Sequence, residues 1–118
     1  MAKRIWIALA VIVGALAVVK LMAKTKADEK VTAKEKIRQG ALVLDVRTAD
    51  EYAAGHFENA TNIPVQELAA RTSELGDTNR PVVVYCAAGV RAEKAKGILQ
   101  QAGFRDVTNA GGLSDLQK

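Results

Sequence analysis

The chain has 118 residues, which suits one domain, and its formal charge is +4. Lys3, Arg4, Lys20, Lys24 and Lys26 fall in residues 1–26 with no acid among them, leaving twelve basic and thirteen acidic residues beyond, so the remainder is nearly neutral. With two Phe, two Tyr and one Trp in all, it offers neither an electrostatic footprint nor a base-stacking surface, which argues against nucleic acid as a partner. One cysteine allows no internal disulfide, and one Cys with one His cannot complete a Cys/His zinc site. Gly-x-x-x-x-Gly-Lys, Gly-x-Gly-x-x-Gly and Gly-x-Ser-x-Gly are all missing, so the usual nucleotide and serine-hydrolase signatures are absent. No metal or cofactor is expected.

Ile5 to Val19 is a run of fifteen residues without a charge, and Leu21-Met22-Ala23 extends it to nineteen if Lys20 snorkels. A spanning helix needs about 20 residues and a signal-peptide apolar region about 7–15, so length alone leaves both open. Ala15-Leu16-Ala17 has the small-x-small pattern of a cleavage site, but Val18-Val19 continue the apolar run. Residues 1–24 therefore read as a retained transmembrane anchor of an inner membrane. The alternative is a signal segment whose cleavage leaves a soluble periplasmic protein. Lys20, Lys24, Lys26, Lys30, Lys34 and Lys36 crowd the far flank, and the positive-inside rule would keep the following domain in the cytoplasm.

Residues 25–31 read as a polar linker and 32–118 as the domain. Thr32 with Glu35 forms a capping box for a helix that Gly40 stops. Ala41 to Val46 is a continuous apolar run broken only by Asp45, as expected of a strand buried on both faces. Thr48 with Glu51 is a second capping box, opening a short helix that Gly55 ends. Asn59 to Ile63 is a weak strand. Helical spacing returns at Val65, Leu68, Ala69, Thr72 and Leu75, and Gly76 to Pro81 turns into the strand Val82–Cys86. A further helix places Ala92, Ala95, Ile98, Leu99 and Ala102 on one face. Phe104 to Val107 is expected as the last strand and Asn109 to Gly112 as a turn. Strands alternating with helices through short connections imply parallel pairing in an open α/β sheet, which binds ligands at the carboxyl ends of its strands.

Cys86 falls at such an end. The following helix presents unpaired N–H groups and a positive dipole end, and Arg91 adds a full charge, all of which favour a thiolate. Ala87, Ala88 and Gly89 are too small to screen the sulfur and leave the loop amides open to an anion. A lone cysteine on a core strand is more often a small buried hydrophobe, and the small-residue loop is what favours a nucleophile here. Asp45 and Arg47 suit an ion pair bracing the loop, His56 a turn-bracing role after Gly55, and Tyr85 the core.

These residues resemble the rhodanese-like family of sulfurtransferases, most of all its small periplasmic single-domain members, from about Thr32 to Asp115. The likeness rests on Asp45-Val46-Arg47, Glu51-Tyr52, Gly55-His56, Ala60 with Asn62-Ile63-Pro64, Val82 to Cys86, Gly89 with Arg91-Ala92, Gly103-Phe104 and Asn109-Ala110-Gly111-Gly112. Where many relatives carry a Trp after the double glycine, Leu116 stands. The resemblance implies a single domain with a five-stranded, mostly parallel sheet flanked by helices, here preceded by an N-terminal apolar helix. It also implies a catalytic Cys86 and a substrate loop of Ala87, Ala88, Gly89, Val90 and Arg91. Cys86 would take sulfur from thiosulfate or another sulfane-sulfur donor and pass it from a persulfide to a thiol or cyanide. A membrane-tethered persulfide carrier or partner-binding module is the first alternative. A cysteine phosphatase is the second, disfavoured because Cys86 and Arg91 enclose four residues where that chemistry uses five. The exported relatives would put the domain in the periplasm, against the lysine flank, so its side of the membrane stays open.

Overall fold

From Lys26 onward the chain is rich in Lys, Ala and Glu, which lose little rotamer freedom on entering a helix. The computed structural model describes residues 26–118, and in it this stretch is helix α1 (Lys26–Arg38). Thr32, expected as a cap, is thus interior to a longer helix that begins within the expected linker. The apolar run and the anchor or signal expected over 1–24 lie outside the described residues. Among those described, no helix is long and apolar enough to cross a membrane.

Four strands follow: β1 (Leu42–Asp45), β2 (Thr61–Asn62), β3 (Val82–Cys86) and β4 (Val107–Gly112). They form one sheet in the order β2-β1-β3-β4, every pair parallel. The fifth strand that the resemblance implies is not among the described residues: the segment before β1, where an added strand could start, has the composition of a helix and is one. Between the strands lie α2 (Ala49–Ala54), α3 (Val65–Arg71) with a 3₁₀ turn over Thr72–Leu75, α4 (Val90–Gln101) and, after β4, α5 (Leu113–Gln117).

β3 is buried on both faces, each of its five residues being at most 1% exposed. Because side chains alternate along a strand, Val82, Val84 and Cys86 pack with Leu68 of α3 and Ala92, Ala95 and Leu99 of α4. Val83 and Tyr85 pack on the opposite face with Ala33 of α1 and Leu116 of α5. Leu116, which stands near the position of the family's Trp, is itself only 6% exposed and anchors the chain end.

The last strand differs from expectation. The Phe104 N–H donates to the Leu99 carbonyl at 3.0 Å and the Gly103 N–H to the Gln100 carbonyl at 3.1 Å, so Phe104 closes α4 instead of opening a strand. Asn109 to Gly112, expected as a turn, is strand, with Val84 opposite Asn109 and Cys86 opposite Gly112. Small residues signal a turn locally, and pairing with β3 overrides them. One register irregularity lies between Val84 and Cys86 and brings Gly112 behind the loop that follows the cysteine.

Candidate active site

The loop leaves the core at the carboxyl end of β3. Cys86 is 1% exposed, and its Sγ accepts the Gly89 N–H at 2.9 Å. Gly89 caps α4 at φ 106° and provides no side-chain bond, so the first N–H groups of a twelve-residue helix have no intrahelical partner. Ala87, Ala88 and Val90 are exposed, Val90 at 82%. The sulfur therefore lies at the floor of a ring of small, uncharged residues, with at least one main-chain donor aimed at it. The back of the ring is β4: a Cβ on Gly112 would sit 2.2 Å from the Ala87 carbonyl oxygen, a contact only glycine avoids. Asn109 fastens the far side, donating from Nδ2 to the Gly89 carbonyl at 3.1 Å and to Glu93 Oε2 at 2.8 Å, and accepting the Gly111 N–H on Oδ1 at 2.8 Å.

Arg91 comes from the first turn of α4, and its guanidinium is engaged. Nη1 donates to Glu51 Oε1 at 2.6 Å and Nη2 to Glu51 Oε2 at 3.0 Å, with both side chains about one-third exposed. Glu51 is fixed from its own side by the expected capping box: its N–H donates to Thr48 Oγ1 and the Thr48 N–H to Oε1, each at 3.2 Å. The Arg91 guanidinium, and after it the Thr48 backbone bond, hold the Glu51 carboxyl down at about 2. Arg91 is pushed up in turn, by Glu51 first.

On the neighbouring strand, Asp45 is fully buried and receives four bonds from Arg47, one from the backbone N–H at 2.9 Å and three from the guanidinium, the shortest from Nη2 at 2.7 Å. The Tyr85 hydroxyl donates to Asp45 Oδ2 at 2.6 Å while accepting the Phe57 N–H at 3.0 Å. Arg47 Nη2 also donates to the Gly55 carbonyl at 2.7 Å, tying the end of α2 to the sheet. Burial first, then the bond to Asp45, pushes the Tyr85 hydroxyl up to about 12. His56 lies stacked on Tyr52, ring centroids 3.7 Å apart, with Nδ1 2.9 Å from the Tyr52 carbonyl, as suits a turn brace. Among the described residues no group of three or more His, Cys, Asp or Glu is arranged to hold a metal ion.

The structure bonds Cys86 to Gly89 of the loop, while the Asp45–Arg47 pair, expected to brace that loop, bonds instead to Tyr85, next to Cys86 on β3, and to the Gly55 carbonyl. Sequence reading did not find the partnership of Glu51 with Arg91, the fastening by Asn109 or the close approach of Gly112. Glu51 and Asn109 were visible only as a helix cap and a turn residue, because neither bond is local in sequence.

A parallel α/β sheet that delivers a lone thiol to a loop at the start of a helix, with a main-chain N–H on its sulfur, defines a cysteine-loop protein. The chain belongs to the rhodanese-like sulfurtransferase family: residues 29–118 match the rhodanese-like domain. It is 42% identical over 74 residues to the thiosulfate sulfurtransferase PspE of Escherichia coli K12, covering 62% of this chain and 71% of that protein. It is also 32% identical over 74 residues to the tRNA uridine(34) hydroxylase of Buchnera aphidicola, but that match spans 58% of this chain and only 24% of the hydroxylase. Among solved structures, a rhodanese with anions from Escherichia coli superposes with a TM-score of 0.61 at 40% identity, over 64% of this chain and 91% of that one.

Proposed function

We propose that the protein is a thiosulfate sulfurtransferase working through a Cys86 persulfide. The Cys86 thiolate attacks the outer sulfur of thiosulfate, the S–S bond breaks, and sulfite leaves with its electron pair. Cyanide or a thiol then attacks the terminal sulfur of the persulfide and regenerates the thiolate. The Gly89 N–H is positioned to stabilise the sulfur anion in both half-reactions, with the open amides of the α4 terminus beside it. The observation that carries this reading is the N–H···Sγ contact at the carboxyl end of β3, within a loop of four residues between Cys86 and Arg91. The loop is one residue short of those that hold phosphate, which disfavours a phosphatase. The likeness to PspE supports thiosulfate as donor.

Incubation with thiosulfate is expected to add ~32 Da, one sulfur, to Cys86, removable by cyanide, and Cys86→Ser is expected to lose both the adduct and turnover. A folded protein that takes up no sulfur from any sulfane donor would end the proposal. A second reading, a persulfide carrier loaded by another thiol, is favoured by the commitment of Arg91 to Glu51, which leaves the expected anion clamp already occupied. We further propose that residues 1–24 tether the domain to a membrane, on the strength of the uncharged run Ile5–Val19. N-terminal sequencing of membrane and soluble fractions separates that from a cleaved signal and a free periplasmic protein.

A further inference from the structure

The loop mouth was expected to present a cation. Its side chains sum the other way. Among the described residues, the guanidinium at the loop's helical end, that of Arg91, is bound by Glu51, and Glu93, held by Asn109 in the first turn of α4, adds a second carboxylate. The rest of the rim is Ala87, Ala88, Gly89 and Val90, without charge and largely exposed. Resting on the reading of Cys86 as the sulfur-accepting thiol, we propose that Glu51 is a specificity-determining residue. By cancelling Arg91 it leaves thiosulfate a usable donor but narrows the loop's advantage for such dianions, raising the relative rate with sulfane sulfur carried on an organic thiol.

Three observations carry this. The pair is two-pronged, so a dianion cannot use the same guanidinium face without displacing a carboxylate of like sign. Glu51 is not a loose surface carboxylate: its oxygen and its backbone are both fixed by Thr48 in the box that starts α2, and α2 is held to the sheet through Gly55 by Arg47. Displacing it therefore also disrupts a helix cap. Finally, an uncharged rim led by Val90, at 82% exposure, suits an organic carrier better than a small inorganic anion. With an organic persulfide the chemistry balances as before: a bond forms from Cys86 Sγ to the outer sulfur, the donor's S–S bond breaks, and the organic thiolate leaves with the electron pair.

The test follows persulfide formation on the full chain by time-resolved mass spectrometry, with thiosulfate and with 2-hydroxyethyl persulfide, whose carrier is uncharged. Glu51→Gln keeps an oxygen for the Thr48 N–H and so keeps the cap. It is expected to raise the thiosulfate rate constant on the order of ten-fold relative to that of the organic persulfide at low ionic strength. In an Arg91→Ala background the same change is expected to gain much less, since no cation is then released. The unsubstituted protein supplies a measurement that needs no variant: its thiosulfate rate is expected to rise with added salt, as repulsion between dianion and mouth is screened. A fall with salt, an unmoved donor ratio in Glu51→Gln, or an equal gain without Arg91 would each overturn the inference. Uptake of sulfur from neither donor would instead overturn the sulfurtransferase reading beneath it.

Discussion

Two acid–arginine pairs flank the cysteine loop, and they are built to opposite ends. Asp45–Arg47 is interior, with side chains 0% and 9% exposed, and every polar neighbour is drawn into it: Tyr85, the Gly55 carbonyl and, through Asn62, the carbonyls of both residues. Glu51–Arg91 stands at the rim, its side chains 35% and 32% exposed, and joins only two helix starts. The chemistry of the two pairs is nearly the same. What differs is solvent, and solvent decides whether such a pair is scaffolding or an adjustable charge.

The widest separation between them is expected in stability. Asp45→Ala leaves a buried guanidinium and the Tyr85 hydroxyl without their acceptor, and urea unfolding is expected to register a loss of about 3–5 kcal/mol. Should that variant unfold with an unchanged midpoint, the interior pair would be no more structural than the rim pair. Next is a pH effect confined to the interior. Tyr85 ionises at about 12 in the folded protein against 10.0 ordinarily, so the unfolded chain gives up its proton first. Stability is then fully present below pH 10.0 and falls as pH rises toward 12, on the order of 2 kcal/mol, and a tyrosinate absorbance step near 12 should vanish in Tyr85→Phe. The smallest effect belongs to the rim. Glu51 is held at about 2 against an ordinary 4.5, so its contribution is present above 4.5 and is lost as pH falls toward 2. Because water screens the pair, Glu51→Ala is expected to cost under about 1 kcal/mol at neutral pH, read from the same urea midpoints. A larger loss would show the rim pair to be scaffolding too and would weaken its role in donor choice.

What could be read from the sequence follows the same division between local and distant. The β-branched run ending at Cys86, the Thr48–Glu51 box and the Gly55 stop are all written within a few residues, and the structure has them where they were expected. The loop itself was legible for that reason. The end of the sheet was not, because Asn109 to Gly112 carries turn residues and becomes strand only by pairing with β3. Glu51 and Arg91 lie forty positions apart, so nothing near either announces that Arg91 is already engaged. The five-stranded expectation came from the resemblance; the residues alone indicated four runs of strand character, the number the sheet has among the described residues.

The glycine lodged against the Ala87 carbonyl has a consequence for how this fold could change its chemistry. The calibre of the bowl around the sulfur is set jointly by two stretches that are remote along the chain, one carrying the thiol and the other forming a wall with no side chain of its own. Inserting a residue after Cys86 would enlarge the hoop but leave that wall standing. A descendant able to seat a bulkier oxyanion would have to remodel both stretches together.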